Sequence, residues 1–210
     1  LGIKISKYEL DNFNIEDRNI ILCVKPTNII SVGKQLKGKA KAFYSVLAGT
    51  SLLNLKKNIQ SEYTIRAMPY LGASVGYSMT TLVGDLLLKE EALALFNNIG
   101  KTLWLNSEKE LDIATGLAGS GPAYLALIAE ALTDGAVKEG LKRSDAMEVM
   151  RGLMGGFGAL IQDMHPAILK DAVMSPGGTT AAGYSALEEG NVRYSCIKAV
   201  QKAVKKAREL

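Results

Sequence analysis

The sequence has 210 residues, a hydrophobic fraction of 48%, a charged fraction of 22% and a formal net charge of +4 at pH 7. Such a chain is long enough for one large domain or two small ones, and its composition is that of an ordinary globular protein. Its basic residues are densest at positions 34–41 and 198–208 without interleaved aromatic residues, which is typical of a solvated surface and argues against a nucleic-acid partner.

The first half of the chain alternates strand-like and helix-like segments. The predicted strands cover residues 20–24, 42–47, 63–68, 77–83 and 101–105. The predicted helices cover residues 29–36, 52–59 and 89–99, and Ser51 is the expected N-cap of the second helix. Strand, helix and strand in turn predict a parallel α/β sheet.

Three of the predicted strands end in segments that could border a ligand. These ends are Val24-Lys25-Pro26, Ala48-Gly49-Thr50 and Met68-Pro69-Tyr70, and each carries small, proline or glycine residues. Ligands of parallel sheets bind beyond the carboxyl ends of the strands. A plain turn explains each segment taken singly, whereas the three together also fit one shared site for a flat ligand.

The second half shows helical patterns only, and the boundary between the halves falls near Asn106-Ser107. The predicted helices cover residues 122–137, a segment capped by Ser144, short segments that follow His165-Pro166 and residues 175–180, and residues 192–210. Gly140 is the expected stop of the first of these helices.

Much of this helical half is apolar on several faces. Apolar residues surround most of the 122–137 helix, which predicts that it is buried. The next helix contains Gly152, Gly155, Gly156 and Gly158, which predict the close approach of another backbone. Because so many apolar faces are hard to bury within about a hundred residues, we expect a homodimer built mainly by this half.

Two segments are suited to hold an anion. Ala118–Pro122 and Ser175–Thr180 both place glycines directly before a helix, where free backbone N–H groups and the helix dipole favour a carboxylate or phosphate. The alternative is that both are tight caps that pack one helix against its neighbour.

The remaining polar residues exclude several chemistries. The one histidine, His165, precedes a proline at a helix start and is expected to cap that helix or lie on the surface, and Ser120 has no evident base, so no hydrolytic triad is expected. The carboxylates are expected to act as caps or surface groups; they are Glu108, Glu110, Asp112, Glu130 and Asp134. A scarcity of proton-transfer groups suits a reaction that a cofactor carries, such as hydride transfer.

The two cysteines, Cys23 and Cys196, are far apart in the sequence. With one histidine and no close cysteine pair, no metal site is expected. Two buried or half-buried thiols in a reducing compartment are the simplest interpretation. No signal peptide and no apolar run of membrane-spanning length is recognised, so a cytoplasmic protein without membrane contact is expected.

Long motifs in the second half resemble those of the pyrroline-5-carboxylate reductase family. They are D-I-A-T-G-L-A-G-S-G-P-A-Y (Asp112–Tyr124), E-A-L-T-D-G-A-V (Glu130–Val137), H-P-A-I-L-K-D-A-V-M-S-P-G-G-T-T-A-A-G (His165–Gly183), A-L-E-E-G (Ala186–Gly190) and A-R-E-L (Ala207–Leu210). In the first half V-K-P (Val24–Pro26), A-G-T-S-L (Ala48–Leu52) and R-A-M-P (Arg66–Pro69) follow the family in order and spacing. The resemblance covers nearly all of the chain from Asp17 on.

This resemblance implies a fold and an activity. It implies a Rossmann-like α/β domain over residues 1–106 that binds a nicotinamide dinucleotide, and an all-α domain over residues 107–210 that dimerises and binds substrate. The implied reaction is hydride transfer from NADPH or NADH to 1-pyrroline-5-carboxylate, which gives L-proline in the last step of proline biosynthesis. The implied assembly is an interlocked helical homodimer, in some members built into a decamer.

The resemblance also assigns roles to individual residues. The residues expected along the cofactor are Val24, Lys25, Pro26, Ala48, Gly49, Met68 and Pro69. The residues expected at the substrate are Gly119, Ser120, Gly121 and Pro122, whose backbone segment holds the carboxylate, together with Thr179, Thr180 and Glu108. No catalytic residue is assigned. A cyclic imine protonates readily and accepts hydride, so the protein need mainly hold two reactants in line.

Three features depart from the family pattern. Family members begin with a strand and a G-x-G-x-x-G-like turn for the cofactor pyrophosphate, whereas this sequence starts at Leu1-Gly2-Ile3-Lys4, so that unit is expected in a segment that the sequence does not include. M-P-Y-L-G-A (Met68–Ala73) replaces the usual M-P-N-T-P-A and puts Tyr70 beside the expected cofactor site, and Ala118 stands where serine is common. Two alternatives therefore stay open: a non-catalytic helical oligomer that has lost cofactor binding, and a reductase of another cyclic imine or hydroxy acid.

Overall fold

The computed structural model describes residues 6–209, so Leu1–Lys4 and the final Leu210 of the predicted last helix lie outside the described residues. The chain forms two compact units. The first runs to Ser120 and includes the end of the chain from Val200, and the second comprises Gly121–Ala199.

The first unit is built on a five-stranded sheet with the order β2-β4-β5-β6-β7 and a separate two-stranded pair, β1-β3. The strands are β1 (Phe13–Asn14), β2 (Asn19–Leu22), β3 (Leu36–Lys37), β4 (Ala40–Ser45), β5 (Ser61–Met68), β6 (Ser78–Gly84) and β7 (Gly100–Trp104). The helices between them are α1 (Ile29–Gln35), α2 (Leu52–Asn58) and α3 (Lys89–Phe96). Short 3₁₀ turns lie at Pro26–Asn28, Leu71–Val75, Leu86–Leu88 and Asn97–Ile99.

The predicted parallel sheet is correct for β2, β4 and β5 but wrong for one pair. Strand β6 runs antiparallel to β5, and β7 is again parallel to β6. The reason is the length of the connection. Only residues 69–77 join β5 to β6, and a parallel pair needs a crossover of a dozen or more residues.

The sheet is covered on both faces by apolar residues. In β4, Phe43 belongs to a cluster with α2 residues such as Leu55, whereas the next residue, Tyr44, belongs to a second cluster with Ile65 and Phe96. This alternation follows from the period of two along a strand. The Tyr44 hydroxyl donates to Glu91 Oε1 at 3.2 Å, and burial raises the pKa of Tyr44 to about 12.

Residues 105–209 contain helices and no strands in the part of the chain that the structure describes, as predicted. The helices are α4 (Glu108–Ala114), a π-helical turn (Thr115–Gly119), α5 (Gly121–Lys138), α6 (Arg143–Leu160), α7 (Pro166–Val173), α8 (Thr179–Glu189) and α9 (Val192–Arg208).

The helix ends confirm most of the predicted caps. Ser51 Oγ accepts from the Asn54 N–H at the start of α2, and His165 Nδ1 accepts from the Ala167 N–H at the start of α7. Gly140, at φ +106°, follows the end of α5 as expected. The predicted Ser144 cap is wrong, because the extended residue before α6 is Lys142; Ser144 lies inside the first turn and donates to Asp145 Oδ1.

Two predictions of burial are also wrong for the chain taken alone. Among the described residues helix α5 is largely exposed, with Leu125 at 53% and Leu127 at 66% exposure. Both cysteines are free and exposed, Cys23 just beyond the edge strand β2 and Cys196 on α9.

One helical stretch has the length and composition of a membrane span. It is the 31-residue stretch Glu108–Lys138, which includes the π-helical turn. The expectation that no such run exists is therefore wrong. By itself such a stretch is weak evidence of a membrane, because the core helix of a non-membrane protein passes the same test.

Candidate functional site

The ends of three parallel strands form one edge of the first unit. In the sheet register Leu22 of β2 lies beside Ser45 of β4, and Ser45 lies beside Arg66 of β5. The segments that follow these positions contain all seven residues predicted to lie along the cofactor. Because the strands are parallel, these segments leave the sheet at the same edge.

The local backbone at this edge follows from the residue types. Pro26 opens a 3₁₀ turn where no N–H is needed, and Gly49 adopts φ +66°, which costs a glycine little. The buried Thr50 donates its hydroxyl to the Ala48 carbonyl at 3.3 Å and so braces the turn. Val24, Ala48, Gly49, Met68 and Pro69 are half-buried, and Lys25 and Pro26 are exposed, so the edge is open to a ligand.

A buried arginine lies at this edge and was not among the predicted site residues. Arg66 is 3% exposed. Its Nη1 lies 2.6 Å from Glu108 Oε1 and its Nη2 lies 3.2 Å from Asp112 Oδ1. The sequence signal that could have found it is a lone arginine within the otherwise apolar end of a strand, since a buried charge needs a partner.

Glu108 has contacts within the protein that define its position. Its Oε1 accepts from Arg66 and also from the Leu52 N–H at 2.8 Å, at the first turn of α2. One carboxylate therefore joins β5, α2 and α4, and it is a third exposed. Its predicted place at the substrate stays a prediction.

Tyr70 departs from the family's M-P-N-T-P-A motif, and Gly72, two residues later, departs from it as well. A Cβ at Gly72 would lie 2.8 Å from the Tyr70 ring and 2.7 Å from the Tyr77 carbonyl. The Tyr70 ring therefore occupies space that only glycine at position 72 leaves free. The Tyr70 N–H donates to Ser78 Oγ at 3.3 Å, which holds the start of this loop on β6.

The first predicted anion segment is not built as expected. Helix α5 begins at Gly121, but it follows the π-helical turn directly instead of a loop, and the Ser120 N–H already donates to the Leu117 carbonyl. Gly116, Gly119 and Gly121 do not have the positive φ that would require glycine. Insertions of this kind into helices are frequent at functional sites.

The three glycines of this segment have different surroundings. A Cβ at Gly116 would lie 2.6 Å from Val204 Cγ2 of α9, so this glycine serves helix packing. A Cβ at Gly119 would make only an ordinary contact, at 3.4 Å from Thr115 Cγ2, and a Cβ at Gly121 would meet no atom of the described residues within 4 Å apart from its own helical backbone. Packing among the described residues therefore does not account for Gly121.

The second predicted anion segment forms a regular helix N-terminus. Gly177 has φ +70°, and Gly178 is the N-cap of α8 with no side-chain cap. The Gly178 N–H donates to the Ser175 carbonyl at 3.0 Å, whereas Thr179 and Thr180 are exposed in the first turn of α8. The first-turn N–H groups of this helix are thus available to an anion.

The structure brings only some of the predicted residues together. The seven cofactor residues, Glu108, Gly119 and Ser120 belong to the first unit, whereas Gly121, Pro122, Thr179 and Thr180 belong to the second. Among the residues that the structure describes, no group of three or more histidine, cysteine or acidic side chains could hold a metal ion.

Comparison with known proteins decides the family. A family model described as pyrroline-5-carboxylate reductase dimerisation matches residues 108–210. A curated pyrroline-5-carboxylate reductase of Synechocystis sp. is 39% identical over 199 residues, which are 91% of this chain and 74% of the relative. The chain belongs to the pyrroline-5-carboxylate reductase family.

Other relatives agree with this assignment. A curated pyrroline-5-carboxylate reductase of Thermus thermophilus is 34% identical and covers 91% of this chain and 75% of its own length. The crystal structure of Plasmodium falciparum pyrroline carboxylate reductase with NADP bound has a TM-score of 0.81 at 30% identity, and covers 90% of this chain and 75% of that one. The Streptococcus pyogenes enzyme structure also has a TM-score of 0.81, at 34% identity, with coverage of 92% and 76%. The predicted family and fold class are confirmed.

Proposed function

We propose that this protein reduces 1-pyrroline-5-carboxylate to L-proline with NADPH or NADH, in the last step of proline biosynthesis. The observation that carries the proposal is the identity of 39% to a curated pyrroline-5-carboxylate reductase over most of the chain. The edge formed by three parallel strand ends supports it, because this is where α/β sheets bind their ligands.

The residues at that edge fit the nicotinamide half of a dinucleotide. Val24, Lys25 and Pro26, then Ala48 and Gly49, then Met68 and Pro69 would border it. They offer small or flat surfaces and a glycine at φ +66°, which suit the close approach of a ring. When bound, the dinucleotide supplies hydride, and these residues orient it toward the substrate.

Backbone amides hold the substrate carboxylate in this proposal. The segment Gly119–Pro122 is the primary candidate, supported by the open space at Gly121, and the Ser120 N–H does not contribute because it already donates to the Leu117 carbonyl. Pro122 has no N–H and acts by shaping the helix start. Thr179 and Thr180 add amide and hydroxyl donors at the start of α8, whereas Glu108, itself a carboxylate, would accept from the N–H of the protonated imine.

The proposal includes a cytoplasmic homodimer, which could assemble further into a decamer. The family model for dimerisation and the exposed apolar surface of α5 support the dimer. Between α6 and α7 an apolar groove of about 400 Å³ is lined by residues such as Gly152, Leu153 and Phe157, which a second copy would cover. Two exposed free cysteines suit a reducing compartment.

The deciding experiment follows nicotinamide absorbance when full-length protein is mixed with pyrroline-5-carboxylate and either NADPH or NADH. We expect oxidation of the cofactor in proportion to enzyme, with L-proline as the product. Absence of oxidation above background with both cofactors contradicts the proposal and favours the non-catalytic oligomer. Oxidation with a different cyclic imine but not with pyrroline-5-carboxylate instead favours a reductase of another substrate.

A further inference from the structure

We propose that Arg66 is a positioning residue, which holds the cofactor edge and the helix that leads to the substrate segment in one geometry. This inference rests on the proposed reductase function and adds to it a residue that touches neither reactant. Three observations support it: the burial of Arg66, its two carboxylate partners, and the chain segments that those partners contact or belong to.

Arg66 is buried, and its positive charge is paired with two carboxylates. The residue is 3% exposed, and its two terminal nitrogens reach two different carboxylates, at 2.6 Å on Glu108 and 3.2 Å on Asp112. These carboxylates lie one helical turn apart on α4, so the planar guanidinium spans that turn. A lysine would bring one point charge and could not span both partners in the same way.

The third nitrogen of the guanidinium has no partner. Arg66 Nε is buried without a hydrogen bond, which is unfavourable. Replacing buried ion pairs by apolar residues of similar volume is often neutral or stabilising. Stability alone therefore does not explain an arginine at this position. The orientation that Arg66 imposes on its two carboxylate partners does explain it.

The network joins the segments that carry the predicted site. Arg66 lies two residues before Met68 and Pro69 in the chain. Glu108 Oε1 also accepts the Leu52 N–H at 2.8 Å, directly after the turn that contains Ala48 and Gly49. Helix α4 continues through the π-helical turn to Gly119 and Ser120.

The geometry of the reaction therefore depends on Arg66 at a distance. If the guanidinium is lost, Glu108 and Asp112 no longer have a common anchor on β5. The helix that leads to the substrate segment is then free to shift relative to the strand ends. A displacement of about 1 Å can lower a rate by about a hundredfold even when it arises far from the reacting atoms.

The test compares Arg66→Met, Arg66→Lys and Asp112→Asn with the control Ile65→Val. Ile65 is the preceding residue of β5, is fully buried and points to the opposite face of the sheet. For Arg66→Met we expect kcat to fall by about a hundredfold while KM for the imine changes by less than about threefold. Arg66→Lys and Asp112→Asn should each lose about tenfold, since each leaves only one of the two charge pairs in place, and Ile65→Val should stay within about twofold of the unmodified enzyme.

A second readout does not depend on turnover. Hydrogen exchange of the Leu52 amide should accelerate by about tenfold in Arg66→Met, because its acceptor Glu108 loses its anchor, and should stay unchanged in Ile65→Val. If Arg66→Met does not fold, Arg66→Lys and Asp112→Asn provide the same two measurements.

The outcomes separate this inference from the proposed function. If the unmodified enzyme reduces no imine with either cofactor, the proposed function fails, and Arg66 then has no reaction to position. If the unmodified enzyme is active but the Arg66 and Asp112 variants keep kcat within about twofold per folded molecule, the inference is overturned. It is also overturned if activity falls only with the folded fraction while Leu52 exchange stays unchanged.

Discussion

The two units of this protein bury their apolar residues in different ways. The first unit contains both hydrophobic clusters, in which residues such as Phe43, Leu55 and Ile65 are fully buried. In residues 121–199, all of which the structure describes, the buried apolar residues are Ala146 and Met150. The first unit therefore forms a core by itself, whereas the second has the composition of a core but exposes it.

Glycines show the same difference. A Cβ at Gly33, Gly84 or Gly100 in the first unit would lie between 2.1 and 2.3 Å from a neighbouring backbone oxygen. A Cβ at any of the four glycines of α6 would meet no described residue within 4 Å outside its own helical backbone; these are Gly152, Gly155, Gly156 and Gly158. The close backbone approach that they predict is not found among the described residues. The contrast indicates that the apolar surface of the second unit is suited to contact a second copy, as the proposed dimer requires.

The largest expected effect is a loss of stability caused by a substitution in the core of the first unit. Leu55→Ala removes a fully buried side chain of α2 and should destabilise the protein by about 2–5 kcal/mol, because it leaves a cavity between helix and sheet. Denaturant unfolding measures the loss. A loss below about 1 kcal/mol would show that the site collapses freely, and that the first unit is packed no better than the second.

The next effect tests the exposed face of the second unit. Leu125→Asp on α5 should weaken the dimer by about a hundredfold or more, since a carboxylate would replace an apolar contact between copies. Sedimentation at several concentrations measures the association. Lys138→Asp, at the polar end of the same helix, controls for the added negative charge. Unchanged association of Leu125→Asp would mean that this face of α5 is not the interface.

A smaller effect concerns the open space at Gly121. Gly121→Val should raise KM for pyrroline-5-carboxylate by about tenfold, because the new methyl groups would occupy the space assigned to the carboxylate. Gly135→Val is the matched control on the same helix, since a Cβ there also meets no atom within 4 Å. Steady-state kinetics of both variants provides the comparison. A normal KM in Gly121→Val would contradict the proposal that the amides of Gly119–Pro122 hold the substrate carboxylate. The start of α8 would then be the candidate for that role.

The smallest expected effect is a pH dependence confined to the first unit. The pKa of Tyr44 is raised from 10.0 to about 12 by burial first and then by Glu91. Since the folded-state pKa is the higher one, its contribution to stability is complete below pH 10 and is lost progressively as the pH rises through about 12. Unfolding measured across this range should show the loss, and Tyr44→Phe should remove this component. An identical pH profile in Tyr44→Phe would assign the alkaline loss to other groups.

Local sequence signals predicted most of the elements. The apolar run of β4 and the Ser51 cap of α2 were both found where the pattern put them, because each depends on residues a few positions apart. The motif around Gly121 and the motif before Thr179 identified the family. The same local signals placed Ser144 at a helix cap incorrectly, because a serine inside the first turn has the same sequence neighbourhood as a true cap.

What the sequence by itself determined is the order and approximate bounds of most strands and helices, without β1, β3 and α4, together with the family, since these follow from periodicity, caps and long motifs. The antiparallel β6, the Arg66 network and the empty space at Gly121 were decided only by the tertiary structure. Each of these depends on how segments are placed in space: a short connection that rules out a crossover, two carboxylates about forty residues from their arginine, and a glycine whose Cβ position no described residue fills. Residue spacing along the chain does not show directly which distant segments come into contact, because these contacts result from packing many elements around a common core.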